Sequence, residues 1–196
     1  MLTDVKPDRP GTDPAPSETA FGEPRAPYEG WPRYTDIPFP RYRYVPGLNP
    51  HPRKNPKGHS YGQAEIRLSS WNPEEWRKLA PYLFGVDLYN YAYWWECHEV
   101  LEGLWQAVDR KNVKARFLQG IIQIAAANLH RHMEKQESAG HQLEKGIANL
   151  AAALTESPVY MGMDIAEFIR DSRGYFSNRL SNPAMIRLHT DLPSQG

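Results

Sequence analysis

Apolar residues recur at helical spacing from about residue 70 onward and show no such period before it. "NPEEW" offers Asn72 as a cap, Pro73 at the first helical position and two glutamates in the first turn, which predicts a short helix ending near Gly85. Trp94, Cys97, Leu101, Leu104, Trp105 and Val108 predict a second helix over about 89–108, with a turn at 110–112. A third, over about 113–133, is apolar on nearly every side (Phe117, Leu118, Ile121, Ile122, Ile124, Ala125, Leu129), as expected of a central, buried element. A fourth runs over about 138–154 on Leu143, Ile147, Leu150 and Leu154. Pro158 and "GMD" punctuate, and a last helix over about 164–177 buries Ile165, Phe168 and Ile169. No repeat and no strand alternation is visible. The expected fold class is all-α, a compact bundle of about four to five helices over 71–177.

Composition changes what precedes this bundle. Thirteen of the 18 prolines fall before residue 59, which excludes long helices and central strands there. Residues 1–27 read as a disordered tail. Residues 28–70, with Trp31, Tyr34, Phe39, Tyr42 and Tyr44, are too aromatic for a solvated linker and read as a largely irregular arm docking on the body. Between 37 and 58 this arm has five basic residues, Arg41, Arg43, Arg53, Lys54 and Lys57, and no acidic one. Residues 178–196 read as an extended C-terminal tail.

Charge and cysteine usage remove several function classes. The 23 basic and 23 acidic residues cancel, which argues against a dedicated nucleic-acid or membrane binder. Cys97 is the single cysteine, so an intrachain disulfide and a multi-cysteine zinc site are excluded. Its place near the apolar centre of its helix predicts an inert buried thiol. The run "FLQGIIQIAAANL" falls well short of the roughly 20 residues that span a bilayer. Asp4, Lys6 and Asp8 stand where a signal peptide needs an apolar segment. The expectation is a soluble, cytoplasmic protein.

The candidate chemistry lies in "YWWECHEVLEGLW", where a histidine and three carboxylates sit among tryptophans. At about 100° per residue, His98 falls on the border of the apolar face, Glu102 about 40° further round and Glu99 about 100° away. On the central helix Gln119, Gln123 and His130 fall within about 40° of each other. Two buried helices each carry one polar stripe, and the stripes are expected to face each other, because unpaired buried polar groups are costly. Gly120, in an otherwise apolar helix, predicts close packing, expected against the helix of Trp94 and Trp105.

The runs "GVDLYNYAYWWECHEVLEGLWQAV", "RFLQGIIQIAAANLH", "GHQLEKGIANLAAAL" and "YMGMDIAEFI" resemble, over about 84–176, the family catalogued as domain of unknown function 309. That family is an all-helical small bundle whose motif pairs a W-E-x-H-E-x-x-E-x-x-W helix with an F-L-Q-G-x-I-Q helix. Its members have been labelled predicted metal-dependent hydrolases. By resemblance, Trp95, Glu96, His98, Glu99, Glu102, Trp105, Gln119, Gly120 and Gln123 occupy its motif positions.

Two readings of this constellation stay open beside the resemblance. His98 and Glu102 suit a divalent metal such as zinc, manganese or iron, with Glu99 as catalytic base. Trp95, Gln119, Gln123 and His130 then stand around a substrate, and His51 and His59 of the arm are candidates to complete the ligand set. The motif lacks the second histidine of zinc-protease H-E-x-x-H, and Trp95 stands where the glutamate of a di-iron Glu-x-x-His would be. Alternatively His98, Glu102 and Gln123 form a buried hydrogen-bond network, and His130 is there for the dipole at its helix C-terminus. In function classes, the chain is a metal-dependent hydrolase, or a non-catalytic helical module for a small polar ligand or protein partner. A third class has the basic arm hold phosphate or nucleic acid through "PRYRY" and "HPRKNPK". Oligomeric state is not legible.

Overall fold

The computed structural model describes residues 22–28, 30–64 and 70–189. A 3-10 turn over Pro73–Lys78 leads into α1 (Ala80–Asn90), α2 (Trp94–Trp105), α3 (Val113–His132), α4 (Gln136–Leu154) and α5 (Ile165–Phe176). The all-α expectation holds. The one sheet among the described residues is a hairpin of two-residue strands, β1 (Val159–Tyr160) and β2 (Met163–Asp164), between α4 and α5. Met161 and Gly162, both at positive φ, make its two-residue turn. Two residues per strand are too few for alternation to register in the sequence.

α3 packs between α2 and α4, and Phe117, Leu118, Ile121, Ile124 and Ala125 are fully buried, as an element apolar on most sides must be. The partner of Gly120 differs from the expected one. A Cβ there meets Leu150 at 2.5 Å and the Gly146 carbonyl at 3.1 Å, so the close approach is to α4. Gly146 answers it across the crossing, where an added Cβ meets the Gly120 carbonyl at 3.0 Å.

The expected helix over 89–108 takes in the last two residues of α1, a break and the whole of α2. α1 ends at Asn90, Ala92 takes φ +62°, and α2 starts at Trp94. Ala92 N–H donates to Tyr89 O (3.1 Å) and Tyr93 N–H to Leu88 O (2.8 Å), the paired bonds of a Schellman motif with alanine in the left-handed position. Glycine is the usual residue there, and its absence hid the break. Gly85, expected to end the preceding helix, lies inside α1, where an added Cβ meets Leu101 of α2 at 2.5 Å.

The segments flanking the helices join the same core. Val45 before them and Ala184, Ile186 and Leu188 after them are buried with it. Leu188 forms a bridge with Met163, and His189 N–H donates to Gly162 O at 2.8 Å. Residues 178–189 therefore run without helix but packed, and the rest of the expected tail, 190–196, lies outside the described residues. Of the expected disordered tail, 1–21 also lies outside them. Glu23 accepts from Arg43 N–H and from Asn49 Nδ2, both at 3.1 Å. No helix among the described residues is long and apolar enough to cross a membrane.

Candidate functional site

The buried polar residues of α1 and α2 hold the non-helical segments. Asp87, fully buried, accepts from Tyr34 N–H (2.8 Å), Thr35 N–H (2.9 Å) and the Thr35 hydroxyl (2.8 Å). Asn90 exchanges two 2.8 Å bonds with the backbone of Ile186. Glu96 Oε1 accepts from Tyr44 N–H and from His59 Nε2, both at 2.9 Å, and the two side chains are each 4% exposed. Each of these groups stands in for a missing backbone partner of an irregular segment, which is how buried polar atoms avoid a desolvation cost.

His98, Glu99 and Glu102 follow on α2 but face outward. The His98 side chain is 35% exposed and Glu102 37%, so the expected burial of this site is corrected: it is half-open. The cause is its position on the border of the apolar face of α2. His98 Nε2 lies 3.8 Å from Glu102 Oε2, and Nδ1 lies 3.4 Å from Glu99 Oε1. Nδ1 is buried and makes no hydrogen bond. One donor atom from each of the three residues can be chosen so that all lie within 4.8 Å of one another.

His98 and Glu102, but not Glu99, edge a pocket of about 230 Å³ lined also by Trp105, Gln119, Gln123 and Gln142 and by the apolar Ile122 and Ala126. The two polar stripes do meet, as expected. The hydrogen-bond network of the alternative reading, joining His98, Glu102 and Gln123, is not seen among the described residues. Gln123 Oε1 instead accepts from Asn149 Nδ2 of α4 at 2.9 Å. Gln142 and Asn149 were missed because α4 was read only for its leucines and isoleucine. Their seven-residue separation, nearly two turns on one face, was the available signal.

Other candidate residues are not brought to this pocket. His130 sits seven residues beyond Gln123, about 10 Å further along the axis at 1.5 Å per residue, and its Nδ1 is buried without a hydrogen bond. Periodicity fixed its angle but not its height. His59 goes to Glu96, and its other nitrogen meets Ser60 Oγ at 2.8 Å. His51 Nδ1 accepts from Arg53 N–H (3.2 Å) and Lys54 N–H (3.3 Å), while its ring lies edge-on to Trp95 at 5.4 Å. Trp95 itself packs against Tyr44 and His51, away from the pocket lining.

Glu99 is likewise absent from the pocket lining. Arg53 Nε donates to its Oε2 at 2.7 Å. Burial pushes the Glu99 carboxyl up, but the nearby His98 and the bonded Arg53 outweigh it and hold the carboxyl below its ordinary value. An acid depressed in this way and bonded to arginine is poorly suited to accept a proton, which weakens its assignment as base. Burial drives the Cys97 thiol far upward, so it is an inert core group. A larger cavity, about 430 Å³, opens between Tyr28, Trp31, α5 and the C-terminal segment, and none of the candidate residues lines it.

A helical bundle with a half-open His/Glu/Gln pocket between α2, α3 and α4 is the class this geometry defines. Residues 82–142 match the family model described as "Domain of unknown function (DUF309)", in line with the resemblance seen in the sequence. The match starts within α1 and ends at Gln142. It therefore contains every residue lining the pocket and none of the arm residues that reach α2. No curated protein and no solved structure matches the chain.

Proposed function

We propose that the pocket binds a divalent cation through His98 and Glu102 and acts as a metal-dependent hydrolase on a small polar substrate. The observation that carries this reading is the pair His98 Nε2 and Glu102 Oε2, 3.8 Å apart at the edge of a half-open pocket, with Glu99 near enough that one donor atom from each of the three residues lies within 4.8 Å of the others. Around an ion of about 2.0–2.2 Å bond length, neighbouring ligands stand about 3–4 Å apart. The 3.8 Å between His98 Nε2 and Glu102 Oε2 already meets that spacing. An imidazole and a carboxylate suit zinc, manganese or iron. The two nitrogens of His98 face different glutamates, so Nε2 and Glu102 are the direct ligands. Glu99, on the Nδ1 side, orients the ring.

Bound there, the ion supplies Lewis acidity toward a substrate carbonyl or phosphoryl group and makes water nucleophilic near neutral pH. The chain's own groups do the rest. Gln119, Gln123 and Gln142 offer amide donors and acceptors to orient a polar substrate, and Ile122, Ala126 and Trp105 exclude water from one side of it. The pocket volume limits the substrate to a small molecule or the end of a larger one.

The second reading, a non-catalytic module for a small polar ligand, is favoured by the three glutamines, which need no metal to bind one. A nucleic-acid role for the arm is disfavoured by Arg41, Arg43 and Arg53, whose side chains bond within the chain to Lys57 O, Tyr91 O and Glu99. Elemental analysis of purified protein, followed by a panel of ester, amide and phosphoester substrates with zinc, manganese or iron added, tests the reading. Stoichiometric metal with turnover lost in Glu102→Ala supports hydrolysis. Metal binding without turnover on any substrate favours the module.

A further inference from the structure

We infer that Arg53, supplied by the arm, is a positioning residue for the pocket: through Glu99 it fixes the imidazole of His98 with Nδ1 protonated and Nε2 free to bind an ion. The inference rests on the metal reading above for its consequence, but its structural claim stands without metal.

One hydrogen bond and two longer approaches link Arg53 to the pocket. Arg53 Nε donates to Glu99 Oε2 at 2.7 Å, Glu99 Oε1 lies 3.4 Å from His98 Nδ1, and His98 Nε2 faces Glu102 Oε2 at 3.8 Å. The backbone at the arginine end is tied down by side-chain contacts of His51. Arg53 and Lys54 N–H groups close a turn on His51 Nδ1, and the His51 ring is fixed against Tyr44 and Trp95. The carboxylate end is one turn from the buried clamp of Glu96 and His59, which pins the same stretch of arm to the same helix. With one oxygen committed to Arg53, Glu99 turns the other toward His98.

A neutral imidazole carries one proton, and the neighbour of one nitrogen decides where it sits. Each nitrogen faces a carboxylate, but Glu99 is nearer to Nδ1 (3.4 Å) than Glu102 is to Nε2 (3.8 Å), so the proton is favoured on Nδ1, leaving the Nε2 lone pair toward Glu102 and the pocket. This is the arrangement in which a carboxylate orients a metal-binding histidine, and loss of such an outer partner typically weakens metal binding about 10–100-fold. The arm thereby acquires a role that its prolines and aromatics do not suggest: it completes a site whose pocket-lining residues all lie elsewhere in sequence.

Arg53→Gln separates this from plain electrostatics by sign. Removing a positive charge near a cation site tightens binding if Coulomb repulsion is all that matters, whereas loss of positioning weakens it. In metal-free protein at a pH where His98 is neutral, 15N NMR of the imidazole should show protonated Nδ1 and unprotonated Nε2 in the unmodified chain, shifting to a tautomer mixture in Arg53→Gln. Zinc affinity by calorimetry should fall about 10-fold or more in that variant. Arg41→Gln, an arm arginine whose side chain bonds to Lys57 O, controls for general loosening and should change neither readout. An unchanged His98 tautomer, tighter zinc binding in Arg53→Gln, or an equal effect of Arg41→Gln overturns the inference. If the unmodified chain binds no metal, the metal reading fails while the tautomer comparison still decides the role of Arg53.

Discussion

Glu96 and Glu102 lie six residues apart on α2 and lead opposite lives. Glu96 is 4% exposed, takes two hydrogen bonds on Oε1 and ties down two separate pieces of the arm. Glu102 is 37% exposed and faces His98 at 3.8 Å over an open pocket. A polar group used for architecture is buried and bonded, because leaving it unpaired there costs about 1–3 kcal/mol or more. One kept for a ligand stays reachable and incompletely paired inside the chain. Glu96 also leaves Oε2 buried without a partner, so even the clamp is not fully saturated.

The largest effect should follow from breaking the clamp. Glu96→Ala strands the buried His59 ring and Tyr44 N–H, and denaturant unfolding should show a loss of about 3 kcal/mol, with residues 40–62 becoming protease-sensitive. Glu96→Gln, which keeps an acceptor, should lose clearly less. Equal losses would mean that packing, not hydrogen bonding, holds the arm. Asn90→Leu comes next, because it removes both bonds to Ile186 from a fully desolvated site. About 1–3 kcal/mol is expected, with faster amide exchange at Ile186 reporting release of the C-terminal segment.

A smaller, pH-dependent effect belongs to His51. Burial, then the Lys54 charge, lowers its pKa below the ordinary 6.5, against a weaker opposing pull from Glu99. The unfolded chain therefore binds the proton more readily. The stability His51 contributes is fully present above about pH 6.5 and is lost as pH falls below it. Proteolysis of the 51–60 loop should accelerate between pH 7.5 and 5.5 in the unmodified chain. His51→Asn, which keeps an acceptor for the same two N–H groups without titrating, should flatten that dependence. The smallest stability effects are expected at the pocket. His98→Ala and Glu102→Ala break a half-exposed i,i+4 pair and should each shift thermal unfolding by less than about 1 kcal/mol. A loss of 2 kcal/mol or more at either would put them with the clamp.

Much of this was legible because helices advertise themselves locally. α3 and α4 could be read from period alone, and so could the meeting of His98 and Glu102 with Gln119 and Gln123. What was hidden had physical reasons. The break between α1 and α2 rests on alanine at Ala92 where glycine is the usual marker. Gly85 and Gly120 signalled close packing, but not which helix approaches. The contacts of Arg53 with Glu99 and of His59 with Glu96 span 46 and 37 residues of chain. A one-dimensional pattern shows only that a basic, acid-free arm and an acid-rich helix exist. Pairing them requires the fold.

The central claim, that the half-open set of His98 and Glu102 holds a divalent cation, is tested most directly by calorimetric titration of metal-free protein with zinc and manganese, beside His98→Ala and Glu102→Ala. One saturable site per chain in the unmodified protein, abolished or weakened at least about 10-fold in both variants, is the predicted result. No saturable binding, or binding that survives both substitutions unchanged, would contradict it.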